Sequence, residues 1–337
     1  MALIYAGIDE AGYGPMLGPL TVGLSVLRVD GWSPGDPAPD LWAMLGEAVC
    51  RTVREAAGGR LAVGDSKVLK LSNSSKTRHP LLHLERGVLG HLSAIGKDHA
   101  PCADDASLLE RVGATLEPGG WYGAEPVALP LGTTEGELRV ASGVLRRELE
   151  RAGVEVLALR CLSLDESRFN EVYRRAGSKA AVTELALREH LSTITRRWGG
   201  SGDAVRIACD RQSGRLDYSG VLREAWPDGL VHERERSPRA SRYEVELSGI
   251  TVGSTGGEDV HVILTPGAEA AHYPVALASM LAKLVRELAM ARFNRYWCGR
   301  VPELKPTAGY VQDARRWLRD LGDGATPEER TRMVRLA

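Results

Sequence analysis

The stretch IDEAGYGPMLGP, Ile8 to Pro19, decides how this 337-residue chain is read. It continues a short apolar run, Ala2 to Ile8 (ALIYAGI), of strand length, so Asp9 and Glu10 fall where a strand gives way to a turn punctuated by Gly12, Gly14 and Pro15. Side chains of a regular strand alternate between faces, so two adjacent carboxylates serve one site only where the strand ends or twists. Such a pair of hard oxygen donors suits Mg²⁺ or Mn²⁺. Alone, the dipeptide is an exposed acidic turn; further carboxylates are needed to make it a site.

Outward from this turn, Leu20 to Val29 (LTVGLSVLRV) reads as an antiparallel partner strand. Apolar spacing predicts helices over Leu41–Ala57, Arg78–Ile95 and Gly143–Ala152, a strand over Val154–Leu164, and one long helix from Glu166 to Trp198. Ala204–Cys209 is a strand ending at Asp210, Tyr243–Leu264 a hairpin or meander, and Pro274–Trp297 a strong helix. A short helix over Asp313–Leu321 follows. Alternating strands and helices imply an α/β core of one domain spanning 1–337, with insertions at about 96–138 and 236–270 and a C-terminal helical segment at about 300–337.

With 43% hydrophobic and 26% charged residues the composition is that of a soluble globular protein, and the formal charge of -1 excludes a wholly basic nucleic-acid glove. The arginine-rich Arg234–Arg242 (RERSPRASR) is expected as a solvated loop. Five scattered cysteines without CxxC spacing argue against a disulfide framework or zinc site and fit a reducing cytoplasm. His79, His83, His91 and His99 match no ligand pattern and are expected on the surface. No apolar stretch reaches the ~18 residues of a membrane span, and neither a signal peptide nor an obligate protein partner is indicated.

Two further acids stand out. Asp210 closes the strand RIAC as Asp9 closes its own, so the two can lie side by side. Glu287 follows Ser279 and Lys283 at four-residue spacing on the Pro274–Trp297 helix; the same spacing also describes a plain Lys/Glu pair.

Taken in order, IDEAGYGPMLGP, VGDSKVLK, ASMLAKLVRE and TAGYVQDARRWL resemble the four blocks of the ribonuclease HII family, whose pattern runs DEAGRGP, DSK, a central-strand Asp, then ASxxAK and RD. GPMLGP and AGYVQDARRWL look more like its archaeal and eukaryotic branch. The resemblance implies a ribonuclease H-like α/β fold with a mixed central sheet flanked by helices. It further implies that Asp9, Glu10, Asp210 and Glu287 are catalytic ligands for two Mg²⁺ or Mn²⁺ ions, Glu287 standing for an aspartate as in ribonuclease HIII. Gly12, Tyr13, Gly14, Lys67 and Tyr310 would contact substrate, an RNA/DNA hybrid whose RNA strand is hydrolysed to 5′-phosphate and 3′-hydroxyl ends. The chain departs from the pattern at Tyr13, where the family has arginine, and at GAEAAHYP (267–274), where it has a KAD-type sequence before YP. A non-cleaving nucleic-acid binder and a nuclease acting on DNA or junctions are the rival readings.

Overall fold

The computed structural model describes residues 1–96, 101–117, 120–123, 125–212, 214–247 and 258–336. Its centre is a seven-stranded mixed sheet in the order β5-β2-β1-β6-β9-β8-β7. The apolar runs flanking the acidic turn form β1 (Leu3–Ala11) and β2 (Leu20–Val29), antiparallel partners from Leu3↔Val29 to Ala11↔Thr21. A second, two-stranded sheet pairs β3 (Val49–Cys50) with β4 (Leu61–Ala62). In the main sheet β5 (Val154–Leu164) flanks β2 antiparallel, while β6 (Ala204–Asp210) lies parallel to β1. The other half is β7 (Gly229–Arg236), β8 (Ser241–Leu247) and β9 (Glu258–Thr265), with β9 parallel to β6. The expectation of a mixed α/β sheet flanked by helices is met.

Helices α1 (Leu41–Met44), α2 (Ser66–Leu69), α3 (Leu82–Leu92), α4 (Asp105–Val112) and α5 (Glu135–Ala152) fall between β2 and β5. Then come α6 (Glu166–Ala176), α7 (Lys179–Trp198), α8 (Ser219–Ala225), the long α9 (Tyr273–Arg300), α10 (Val311–Asp320) and α11 (Pro327–Met333). No helix among the described residues is long and apolar enough to cross a membrane.

Helix α9 sits on one face of β1 and β2, buried nearly all round. Gly7 and Gly23 make this approach possible, since a Cβ on either would fall into the backbone of Pro274 or Ala278. Hydroxyls fix the contact: Ser25 Oγ donates to the Pro274 carbonyl at 2.6 Å and Thr21 Oγ1 to that of Ala282 at 2.9 Å. The opposite face, with Ile4, Ile8, Val205 and Ile207, packs against Phe169, Leu187, Leu191 and Ile194 of α6 and α7. A third cluster gathers Trp121, Phe293, Trp297 and Trp317 near the C-terminus.

Several expectations are corrected. Only Leu41–Met44 of the predicted Leu41–Ala57 helix is α-helical; Leu45, Ala48 and Val49 are buried as their spacing suggested, but the backbone turns to pair with β4. The long helix from Glu166 to Trp198 is two, because Gly177 at φ 71° caps the first and the Ser178 side chain caps the second. Arg234 and Arg242 lie on the paired strands β7 and β8 rather than in a solvated loop. His83 and His91 are buried, His91 bonding Tyr273 Oη at 2.6 Å and the Gly87 carbonyl at 2.7 Å; His99 lies outside the described residues. Of the expected insertions, 97–100, 118–119, 124 and 248–257 also lie outside them, whereas α4 is anchored by the buried pair of Asp105 with Arg292, 2.6 Å apart.

Candidate active site

The parallel register of β1 and β6 ends at Ile8↔Cys209, so the next residues, Asp9 and Asp210, emerge side by side. From that point β1 keeps its β2 partner through Ala11 but has none on the β6 side. The freed edge lets both Asp9 and Glu10 line one cavity of about 250 Å³, together with Asp210, Glu269, Asp65, Lys67 and Lys283. Gly12, Tyr13, Gly14 and Tyr310 line it as well. The structure therefore brings together eight of the nine expected site residues, all except Glu287.

Glu287 does not line the cavity. Its carboxylate is held by Lys283 Nζ at 2.9 Å and Lys70 Nζ at 3.9 Å. The i,i+4 Lys/Glu pair that its spacing described is present, and the helix carries it away from the acids: at about 1.5 Å per residue, Glu287 is ~12 Å along the α9 axis from Ser279, the α9 residue that hydrogen-bonds Asp9. Beside Asp9, Glu10 and Asp210 the cavity has two more carboxylates, Asp65, which caps α2, and Glu269, in the short turn Ala268–Ala270 between β9 and α9. The sequence signal for Glu269 was the GAE of GAEAAHYP, an acid where the resembling pattern has the Asp of KAD.

Electrostatically, these acids are crowded. Burial, then the charges of Glu10 and Asp210, raises the proton affinity of Asp9 well above the usual carboxylate range, although the Ser279 hydroxyl and the Glu10 amide, 2.7 Å away, oppose the rise. Glu10 is pushed up to about 7, chiefly by burial and next by Asp210, with Lys67 opposing. Asp210 is raised by burial even though the Ala268 amide donates to it at 3.0 Å. Glu269 is raised by burial and by Asp210 and Asp65. A cation bound among like-charged groups crowded in this way would relieve their mutual repulsion.

Among the described residues no group of three or more His, Cys, Asp or Glu side chains is placed to hold a metal ion as they stand. The donors at the cavity are carboxylate oxygens, without thiolate or imidazole, a set that would suit Mg²⁺ or Mn²⁺ completed by waters and substrate phosphate oxygens rather than zinc.

The turn beside the acids is braced from beneath. Gly12 has φ 91°, and a Cβ there would meet Arg286 Nε at 2.6 Å and the Pro19 carbonyl at 2.7 Å. Buried Arg286 donates to the carbonyls of Leu17 (3.3 Å) and Ala308 (3.0 Å), and its guanidinium lies 5.5 Å from the Tyr310 ring. From the C-terminal side Arg335 donates to the Pro15 carbonyl at 2.9 Å, while the Gly18 amide donates to Glu166 at 2.9 Å. Tyr13 packs its ring 5.3 Å from Lys179 Nζ, and Tyr310, at the rim, is 47% exposed. Asp65 caps α2 by accepting from the Lys67 amide at 2.8 Å, and Lys67 lines the cavity with the acids.

No family profile matches the chain, and neither does any curated protein. Among solved structures the likeness is to ribonucleases of the HII and HIII type. A ribonuclease HII from Archaeoglobus fulgidus, solved in complex with PCNA, is 15% identical over 99% of this chain and 94% of its own, with a TM-score of 0.41. Ribonuclease H2 from Pyrococcus horikoshii gives 16%, 99%, 92% and 0.44, and ribonuclease H3 from Aquifex aeolicus 11%, 98%, 70% and 0.41. At such identities a likeness concerns the fold alone, and what the cavity does must be read from its own side chains.

Proposed function

We propose that the chain is a metal-dependent endonuclease that hydrolyses the RNA strand of RNA/DNA hybrids, leaving 5′-phosphate and 3′-hydroxyl ends. The observation that carries this reading is the convergence of Asp9, Glu10, Asp210 and Glu269 on one cavity, their proton affinities all raised, with Lys67 facing them. Asp9 and Asp210, on rigid parallel strand ends, would hold Mg²⁺ or Mn²⁺, with Glu10 and Glu269 completing the donor set. When bound, two such ions supply a hydroxide nucleophile and neutralise the leaving oxygen.

The remaining residues bind and orient. Lys67, already close enough to lower the proton affinities of Glu10 and Asp210, is placed to meet a phosphate oxygen. Exposed Tyr310 offers its ring to a base or sugar, steadied by Arg286. Distinguishing RNA from DNA requires a group that senses the 2′-hydroxyl, and the backbone of Gly12-Tyr13-Gly14 at the cavity rim is the candidate. Glu287 holds the Lys70 and Lys283 ammonium groups in place.

The test is a panel of end-labelled RNA/DNA hybrid, RNA duplex, DNA duplex and duplex DNA with one embedded ribonucleotide, each incubated with Mg²⁺ or Mn²⁺. Cleavage of the hybrid alone supports the reading. Binding without turnover at every metal concentration would favour a non-cleaving binder, and cutting of DNA alone a different nuclease.

A further inference from the structure

Among the described residues, α9 covers one half of the main sheet and leaves the other half without a helix on that face. Helix α9 packs on β1 and β2 and reaches only the margin of β6; beyond it the same face of β6, β9 and β8 forms the floor of an open cleft of about 660 Å³. Strand alternation fixes what lines this floor. Arg206, Ala208 and Asp210 share one face of β6, and the register Arg206↔His261, Ala208↔Ile263, Asp210↔Thr265 puts His261, Ile263 and Thr265 on the same face of β9. Arg242, opposite Ile263, joins them from β8. The cleft is thus a continuation of the surface that carries Asp210, with Thr265 in its lining.

Its charge is the reverse of the acid cavity's. Arg206, Arg234, Arg242, His261 and His272 all line it. Glu244, opposite His261 on the same face, pairs Arg234 at 2.7 Å, and Glu235 pairs the exposed Arg242 at 2.9 Å, so these two arginines are neutralised where they stand and would turn to phosphates only by exchanging partners. Arg206 has no carboxylate partner among the described residues; its guanidinium lies over Trp32 at 5.1 Å and donates to the Asp36 carbonyl at 3.3 Å. His272 bonds Tyr5 Oη at 2.6 Å through Nδ1. A polyanion entering the acid cavity would be repelled there, and an adjoining cationic floor is where its neighbouring phosphates are attracted.

We propose that this cleft holds the phosphate backbone of the same nucleic acid, beyond the position that is cut. The inference rests on the nuclease reading for its substrate, but not for its chemistry. Four residues of β6 separate Arg206 from Asp210, about 13 Å at ~3.3 Å each. That is the axial length of about four base steps at ~3.4 Å. The cleft therefore contacts long substrates and not short ones.

The experiment uses the full chain with Arg206→Gln, Arg242→Gln and the double substitution, thermal melting confirming the fold. Arg242 is exposed, so its variant remains informative even if Arg206→Gln lowers stability. Fluorescence anisotropy with Ca²⁺ measures affinity against NaCl for a hybrid reaching about eight base steps to either side of its centre and for one reaching only about two. For the long hybrid each substitution should flatten the slope of log K against log salt by about 1 and weaken binding several-fold, leaving the short hybrid unchanged. Unchanged slopes on the long hybrid overturn the proposal, as does equal loss on both lengths, which would mean a disturbed fold. A wild-type protein that shows the arginine-dependent slope yet cuts no hybrid refutes the nuclease reading alone.

Discussion

The crowding of carboxylates predicts that the metal-free protein works against its own stability, and Glu10 allows the size to be worked out. Its proton affinity rises from 4.5 to about 7 on folding, mainly through burial and the Asp210 charge. A carboxyl group raised in the folded state stabilises that state only while it stays protonated. Its contribution is therefore full below pH 4.5 and is lost as pH climbs through about 7. A proton affinity raised from 4.5 to about 7 corresponds to ~3 kcal/mol, at ~1.36 kcal/mol for each tenfold change in proton binding. Glu10→Gln, which cannot ionise, should therefore be roughly equal to wild type at pH 4.5 and more stable by up to ~3 kcal/mol at pH 8 in EDTA. Urea melts across that range measure the difference directly. Mg²⁺ at pH 8 should narrow it, because an ion that binds the folded wild type stabilises it by mass action. A Glu10→Gln protein that is less stable than wild type at pH 8, or whose difference from wild type does not change with pH, would refute the reasoning.

Further outcomes follow from individual residues. Glu269→Gln should lower hybrid cleavage at least a hundredfold while Glu287→Gln stays within a few-fold; steady-state rates with equal losses would return Glu287 to the site. Gly12→Ala should cost about 2–5 kcal/mol, combining left-handed backbone strain with overpacking against Arg286, whereas Gly14→Ala, with nothing within 4 Å of its Cβ, should cost under ~0.5 kcal/mol in denaturant melts. With Tyr13 in place of an arginine, incision beside a single ribonucleotide in duplex DNA should be weak or absent; efficient 5′-side cutting there contradicts this role.

How much was legible in the sequence follows from which elements carry their own periodic signal. β2 and β5 were readable to the residue, because each is an uninterrupted run rich in Val and Leu with polar or glycine-containing flanks. Leu41–Ala57 misled because apolar spacing reports which side chains are buried, not how the backbone between them runs. Gly177-Ser178 was a readable break, a left-handed C-cap followed directly by an N-cap, hidden inside an otherwise helical pattern. In the site, Asp9 and Asp210 were visible because a carboxylate at the C-terminal end of an apolar strand is anomalous. Glu269 sits in an irregular turn with no period to mark it, and Glu287 drew the assignment through the resemblance of ASMLAKLVRE to the ASxxAK and RD block, although its four-residue spacing from Lys283 described a plain Lys/Glu pair. The cleft face was invisible for a related reason: Arg206, His261 and Arg242 are far apart in sequence, and only the sheet register brings them together.

The central claim is that the acid cavity cuts phosphodiesters. Its most direct measurement is the Mg²⁺-dependent cleavage rate of an end-labelled RNA/DNA hybrid by wild type and by Asp210→Asn, a substitution of nearly identical shape that removes one charge. The account predicts cutting of the RNA strand by wild type and a loss of at least a hundredfold in the variant, with the melting temperature preserved or raised. An Asp210→Asn protein that cuts as fast as wild type would contradict it.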